Sequence, residues 1–412
     1  MENKKTIWII NQYASHLETR HLELSKVFVE HGYKVVVITS SFHHGEREYL
    51  YPDEYHTVER MPNVHYIYLH SRPAYKNNGG KRVLNFFDFA WLTMKYEPRI
   101  AKDFGVPKYI IGSSLHPMVW EASNKIAKKY NAKWVAEFRD FWPLQLTDIM
   151  GLPKWHPMVV FFGIIEKRAY QHSDAIVPTM PYADKYICDR LGFPRNKVHW
   201  MPNGIDTKRV DENLIDDSII LDKDLADYLS NHWCCVFCGS LNKSENVPYI
   251  VSSFEYLKDH KDIYLAIIGS GHYDSEIQAK IDELSLNENV RMFPSIPYNH
   301  IPKMLELSYC CVAAISDYPL YQYGLSMRKL NDYLYSGKPT IIETGFDNPV
   351  KEAGGFSISF NDPKRYAETI LKVKNLSQDQ LEELAASEKK LIKEKYDSKI
   401  IGENYIKLLE SL

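Results

Sequence analysis

Trp233-Cys234-Cys235-Val236-Phe237-Cys238-Gly239-Ser240-Leu241-Asn242-Lys243 is an apolar run that stops on a glycine and a polar turn, and a helical stretch, Val247–Lys258, follows it. An unbroken apolar run of this length reads as a strand covered on both faces, as in parallel sheets. The arrangement recurs at once. Ile263–Ile268 runs into Gly269-Ser270-Gly271 and a helical stretch over Tyr273–Leu284. Further strands are expected over Val290–Phe293, Cys310–Ala314, Pro339–Ile342 and Phe356–Ser359, alternating with helices over Ile301–Leu307, Met327–Ser336 and Pro363–Val373. The first half follows the same pattern: strands over Thr6–Asn11, Lys34–Thr39, His65–Leu69, Lys108–Ile111, Trp134–Phe138 and Ala175–Pro178, with helices over Thr19–His31, Val83–Phe104 and Pro117–Tyr130. Two consecutive βα arrays predict an α/β protein of two doubly wound sheets facing across a cleft, with ligands at the carboxyl ends of the strands.

A chain of 412 residues is long for one domain and fits two. The expected division is a first domain over 1–209, a linker over the polar, acidic stretch 210–223, a second domain over 224–394, and a terminal helix over 395–412 free to return to the first domain. The stretch Ser377–Leu412 reads as continuously helical. Residues 1–205 hold 27 Lys and Arg against 20 Asp and Glu, a charge of +7, and the remainder holds 23 against 33, or −10. The net charge of −3 argues against nucleic acid, while the basic first half suggests an anionic neighbour. Met1–Lys5 runs directly into a strand, which leaves no signal-peptide core, and the longest apolar run, Met158–Ile165, is far short of the ~20 residues that span a bilayer. Six cysteines make no disulfide framework, and Cys235 and Cys238 lie within a strand, so the thiols read as inert in a reducing cytoplasm.

The chemistry gathers at strand ends. Gly239 and Lys243 follow one strand and Gly269 the next, where a helix N-terminus and a cation favour an anion. In Tyr323–Pro339, Ser326 reads as an N-cap, with Arg328 and Lys329 in the first helical turn and Gly337 ending the helix. Cations at that end oppose the helix dipole, a conflict an anionic ligand resolves. Asp332, one turn on, suits a sugar diol. In the first half, Arg139-Asp140-Phe141-Trp142-Pro143 places a charged pair at a strand end, and Tyr13 and His16 lie in the polar loop after the first strand.

Asn11-Gln12-Tyr13 with Thr19-Arg20-His21-Leu22-Glu23-Leu24, Arg139–Pro143, Met201-Pro202-Asn203-Gly204-Ile205-Asp206, Gly269–Gly271 and Tyr323–Pro339 together resemble bacterial family-four glycosyltransferases, from about residue 6 to 375. The nearest subgroup is the L-fucosamine transferases that assemble O-antigen and capsule. The resemblance implies a GT-B fold, a nucleotide-sugar donor (UDP favoured) in the second domain, a glycan or lipid-linked acceptor in the first, and retention of configuration without metal or cofactor. Carried over, Lys243, Arg328 and Lys329 would hold the donor diphosphate, Asp332 the ribose, and the turn at Pro294–Ile296 the base. Asp140 would lie near the transferring sugar, with Tyr13, His16 and Arg139 on the acceptor. The sequence departs from the family at three places: the loop after Tyr13 lacks a glycine-rich run, Ser240 replaces an arginine, and Gly324 stands where the first of two paired glutamates is usual. Two other readings remain open at this level: a nucleotide-sugar epimerase using His116 and Asp140 as acid and base, and a non-catalytic sugar-binding relative. Residues 154–168, apolar with Lys154, Lys167 and Arg168 at the ends, read either as a core helix or as a peripheral contact with the inner membrane leaflet.

Overall fold

All five residues of Thr6–Ile10 (β1) are buried, which requires helices on both faces of the sheet that holds them. In the computed structural model, which describes residues 5–14, 20–76, 79–359 and 361–412, the chain divides into two units: Met1–Asn203 with Ser398–Leu412, and Gly204–Asp397.

In the first unit the strands after β1 are β2 (Lys34–Ser40), β3 (Phe42–His43), β4 (Glu48–Tyr49), β5 (Tyr55–Met61), β6 (Val64–Leu69), β7 (Pro107–Ser114), β8 (Lys133–Phe138) and β9 (Ala175–Pro178). Among the described residues they form a seven-stranded sheet in the order β5-β6-β2-β1-β7-β8-β9, with β3 and β4 apart as a small hairpin. Only β5 runs antiparallel, on the edge. The helices are α1 (Arg20–Glu30), α2 (Gly80–Phe104), α3 (Met118–Tyr130) and α4 (Pro157–His172). Ile7 and Ile9 share a core with Leu24 and Phe28 of α1 and with Tyr405 and Leu409 of the C-terminal helix Ser398–Ser411.

A buried acid ties these pieces together. Glu137 on β8 accepts hydrogen bonds from Arg20 Nη2 at 2.9 Å, Ser113 Oγ at 2.7 Å and the Tyr405 hydroxyl at 2.7 Å, with His21 Nε2 at 3.1 Å. Arg20 also donates to the Pro202 carbonyl at 2.6 Å. Burial pushes the Glu137 carboxyl up, but Arg20 and His21 more than offset it and hold it well below the ordinary carboxylate range. Arg20 and His21, part of the family resemblance, are thus members of a structural network.

The second unit holds β10 (Trp233–Cys238), β11 (Ile263–Ile268), β12 (Val290–Phe293), β13 (Cys310–Ala314), β14 (Thr340–Glu343) and β15 (Phe356–Ile358), all parallel, in the order β12-β11-β10-β13-β14-β15. The order reverses at β10, and such a switch point opens a crevice at the strand's carboxyl end. Its helices are α5 (Thr207–Ile215), α6 (Lys223–Asn231), α7 (Val247–Phe254), α8 (Asp274–Glu283), α9 (Ile301–Glu306), α10 (Arg328–Ser336), α11 (Pro349–Glu352), α12 (Pro363–Lys374) and α13 (Gln378–Leu391).

Two expectations change. The stretch 210–223 is no linker: α5 begins at Thr207, capped by the Asp206 side chain on Arg209 N, and belongs to the second unit, so the chain crosses between units at Asn203 and Gly204. The stretch from Ser377 is not one helix either. It breaks at Asp397, which is extended, and Ser398 then starts the helix of the first unit with its hydroxyl on Glu23 at 2.6 Å.

Glu137→Gln should cost about 3–5 kcal/mol of stability, because it leaves Arg20 buried without its counter-ion. Since the folded carboxyl is depressed, its contribution is present above the unfolded value of about 4.3 and is lost as pH falls through the folded value. Thermal melts of wild type and variant should therefore differ most near neutrality and converge in acid; equal melts at pH 7 would contradict the role.

Candidate functional site

The site in the second unit grows from the ends of β10 and β11. Their register pairs Cys238 with Ile268, so the chain leaves both strands at one level. Gly239 N donates to Ile268 O at 3.0 Å, and Leu241 N to Ser270 O at 3.1 Å. The two turns then run in contact. A Cβ on Gly269 would lie 1.9 Å from the Gly239 carbonyl oxygen, and one on Gly271 the same distance from that of Leu241. These two glycines therefore admit a neighbouring turn. At Gly239 the space is taken by Lys329, whose Nζ would sit 2.9 Å from an added Cβ.

The charges come from α10. Leu330, Tyr333 and Leu334 sink into the core, and the Tyr333 hydroxyl accepts from Cys238 N at 2.6 Å and donates to Cys238 O at 3.1 Å. This locks the helix against the end of β10. The Lys329 ammonium pairs with Glu245 and lies 4.2 Å from the centre of the Phe237 ring, with only 13% of the lysine side chain and 12% of the glutamate exposed. Arg328 stacks on Tyr298 at 4.6 Å and donates to its hydroxyl from Nε at 3.1 Å and Nη2 at 3.0 Å. That hydroxyl donates to Asp332 Oδ1 at 2.7 Å. Beside them lies a cavity of about 270 Å³, lined by Gly239, Ser240, Gly269, Ser270, Ile296 and Tyr298 among others.

Sequence and structure differ here in particulars. Ser326 does not cap α10: it lies in the irregular stretch after the turn Pro319–Tyr323, next to the buried Leu325, and Met327, in an extended conformation, takes the N-cap position without a side-chain hydrogen bond. Lys243 begins a short turn with its side chain exposed, and Glu245, two residues on, is the one that reaches Lys329. Pro294 is exposed, while Ser295 and Ile296 line the cavity. Glu245 and Tyr298 escaped the sequence reading because each meets its partner across a long separation, 84 and 34 residues. The cation conflict at the start of α10 is met by the chain's own acids. The Cys238 thiol, pushed up to about 12 by burial, stays protonated at neutral pH.

In the first unit, Arg139 and Asp140 follow β8 and are half-buried. Burial raises the Asp140 carboxyl above its ordinary value, against the pull of Arg139 and Arg82. Trp142 donates to Leu115 O at 3.1 Å and meets Phe162 edge-on. The Tyr13 hydroxyl lies 3.1 Å from that of Tyr75 and accepts from Arg82 Nε at 3.3 Å. His16 lies outside the described residues. His116, after β7, is fully buried and stacked on Phe86 at 4.0 Å, and neither ring nitrogen has a hydrogen-bond partner among the described residues. Burial, with Arg82 nearby, pushes it well below the usual histidine range and keeps it neutral. Among the described residues no group of three or more His, Cys, Asp or Glu could hold a metal ion.

Residues 17–209 match the model of Glycosyltransferase Family 4, and residues 229–394 match that of Glycosyl transferases group 1. Together with the two wound α/β sheets, parallel but for the edge strand β5, these matches make the chain a glycosyltransferase of the GT-B fold. No curated protein matches the sequence. Solved structures similar to it include a sucrose-phosphate synthase from Thermosynechococcus elongatus, 12% identical with a TM-score of 0.76 over 99% of both chains. Alr3699/HepE from Anabaena in complex with UDP and glucose is 12% identical, with a TM-score of 0.68 over 99% of this chain and 100% of its own. WaaG, a glycosyltransferase involved in lipopolysaccharide biosynthesis, is 13% identical, with a TM-score of 0.67 over 98% and 99%.

Proposed function

We propose that the enzyme transfers a sugar from a UDP-sugar, with retention of configuration, to a glycan or polyprenyl-diphosphate-linked acceptor in surface polysaccharide synthesis, in the manner of the O-antigen and capsule L-fucosamine transferases. The observation that carries the donor half is the cavity at the β10 switch point, lined by Gly239, Gly269 and Tyr298, with Lys329 against Gly239 and with Arg328 and Asp332 both bonded to the Tyr298 hydroxyl. The relative with UDP and glucose favours the nucleotide, and the lipopolysaccharide enzyme favours the pathway class.

As the bond from sugar to diphosphate breaks, negative charge grows on the leaving phosphate. Lys329 and Arg328 offset it where little water competes, and Lys243 adds its charge from the surface. The diphosphate takes over Lys329 from Glu245, and Asp332, oriented by Tyr298, accepts from the ribose hydroxyls. Asp140 positions the acceptor hydroxyl or steadies an oxocarbenium-like sugar, while Tyr13, His16 and Arg139 hold the acceptor. The charge stabilisers are side chains, so turnover needs no metal.

Assayed with a panel of UDP- and GDP-sugars and a lipid-diphosphate sugar acceptor, with EDTA present, the enzyme should transfer from a UDP-sugar. Lys329→Ala and Asp140→Asn should each lower kcat by roughly 10²-fold, the scale of losing one charge stabiliser; Asp140→Asn should leave the melting temperature nearly unchanged, while Lys329→Ala, which leaves Glu245 without its partner, should also lower it. Asp140→Asn should keep UDP affinity within a few-fold of wild type. Full turnover in both variants, an isomerised donor, or loss of activity on chelation with recovery on one metal would overturn the assignment.

The membrane half rests on α4, which is apolar on the wrong side. Its buried Glu166 accepts from the Tyr170 and Tyr186 hydroxyls at 3.1 and 2.8 Å, and burial pushes it up to about 8, so it is neutral at pH 7. Val160, Phe161, Ile164 and the preceding Trp155 point outward, Trp155 with 78% of its surface exposed. No helix among the described residues is long and apolar enough to cross a membrane. The face suits insertion into one leaflet, with Lys154, Lys167 and Arg168 near anionic headgroups. Co-sedimentation with liposomes should rise with anionic lipid and fall toward ~0.5 M salt. Binding indifferent to both, or none, would remove the membrane from the account.

A further inference from the structure

Helix α2 carries a surface that its packing does not use. Leu84, Phe87 and Trp91 follow at spacings of three and four residues on its outer side, with Leu84 60% and Trp91 54% exposed. Phe87 meets Phe161 of α4, ring centroids 5.8 Å apart, so the stripe joins the exposed face of α4. A cavity of about 510 Å³ opens where α2 begins, lined by Arg47, Tyr75, Lys76, Gly79, Gly80 and Lys81 among others. Among the described residues, every charged one lining it is a cation. Lys76 and Lys81 have no acid partner among the described residues, and both are exposed.

The wall of this cavity is built from interlocked groups. Tyr75, 3% exposed, has its hydroxyl 3.1 Å from that of Tyr13 and 2.9 Å from His44 Nδ1, and that nitrogen lies 2.9 Å from Arg47 Nη1. The Arg47 guanidinium lies over the Tyr75 ring at 5.5 Å. Arg47 is thus held toward the cavity from behind, and the chain of hydroxyls leads back to Tyr13, the acceptor residue of the proposed function.

We propose that this cavity binds the diphosphate of a lipid-linked acceptor and that the stripe on α2 carries its hydrocarbon. The inference rests on the reading of the first domain as the acceptor domain and names the chemistry of its ligand. Three cations suit a group with two phosphates, since charge-assisted hydrogen bonds to phosphate are the strong ones. Lys81 and Leu84 are one turn apart, and Lys81 to Trp91 spans about 15 Å along the helix axis, a length several isoprene units can cover. A soluble sugar phosphate would use the cavity and leave the stripe without a role.

Calorimetric titration of the full-length protein in saturating UDP, which occupies the donor site, compares farnesyl diphosphate below its micellar concentration with inorganic pyrophosphate, glucose 6-phosphate and farnesol. Farnesyl diphosphate should bind at least about tenfold more tightly than any of the others. Arg47→Ala and Lys76→Ala should each weaken farnesyl diphosphate and pyrophosphate about tenfold, the scale of one charge-assisted contact. Leu84→Ser with Trp91→Ser should weaken farnesyl diphosphate alone, down to the level of pyrophosphate. Lys76, Leu84 and Trp91 are exposed, so melting temperatures should hold in their variants, with at most a small loss in Arg47→Ala, where the residue is half-buried, and UDP affinity should be the same in every variant. Farnesyl diphosphate binding that is absent, that ignores the cavity substitutions, or that glucose 6-phosphate equals would overturn the proposal. Failure of UDP to bind any form would instead overturn the donor reading, and the cavity variants would still report on this one.

Discussion

The contact on which the second domain depends is the crowding of two turns at the ends of β10 and β11. With a Cβ on Gly269 placed 1.9 Å from the Gly239 carbonyl, only glycine lets the turns run together, and only their contact leaves the hollow beside Gly239 that Lys329 fills. The Tyr333 hydroxyl then closes the unit by bonding both backbone groups of Cys238. Helix, strand ends and cavity are thus one rigid object, and its charge is set before any ligand arrives. In the first domain Glu137 plays the matching part, joining β8, α1 and the C-terminal helix through hydrogen bonds that no single segment could supply.

The charge arrangement is the less ordinary feature. Both cations in the first turn of α10 are engaged, Lys329 by Glu245 and Arg328 by the hydroxyl that also serves Asp332. A diphosphate entering such a site exchanges one anion for another and does not meet bare charge. Breaking a mostly buried pair is costly when nothing replaces the lost partner, and nearly free when a stronger acceptor does. The expected consequence is a site that discriminates against weak anions and keeps its lysine oriented while empty.

Much of this was legible in the sequence. Trp233–Cys238, Ile263–Ile268 and Val290–Phe293 are strands at the expected bounds, because each is an unbroken apolar run that only a covered sheet can hold. Gly337 ends α10 in the left-handed conformation, as its place before Pro339 suggests. Lys329 was marked by its position and proves to lie at Gly239. What stayed hidden depends on distance along the chain. Nothing local in Lys243-Ser244-Glu245 tells which charge reaches a lysine 84 residues away. Nothing in the acidic 210–223 stretch outweighed its composition, although Asp206 capping α5 is a signal that could have been read. At the break after Asp397, the serine that starts the final helix meets Glu23, 375 residues before it.

The account stands on the nucleoside diphosphate binding where Gly239 and Lys329 meet. The direct measurement is a thermal-shift titration with UDP, GDP and ADP on wild type and on Lys329→Ala, since a ligand bound only by the folded protein raises its melting temperature as its excess over Kd grows. The expected result is a rise with UDP that exceeds those with GDP and ADP, and that shrinks markedly in the variant when measured from the variant's own unliganded melt, which is lower because Glu245 has lost its partner. No rise with any nucleotide, or the same rise in the variant as in wild type, would contradict it.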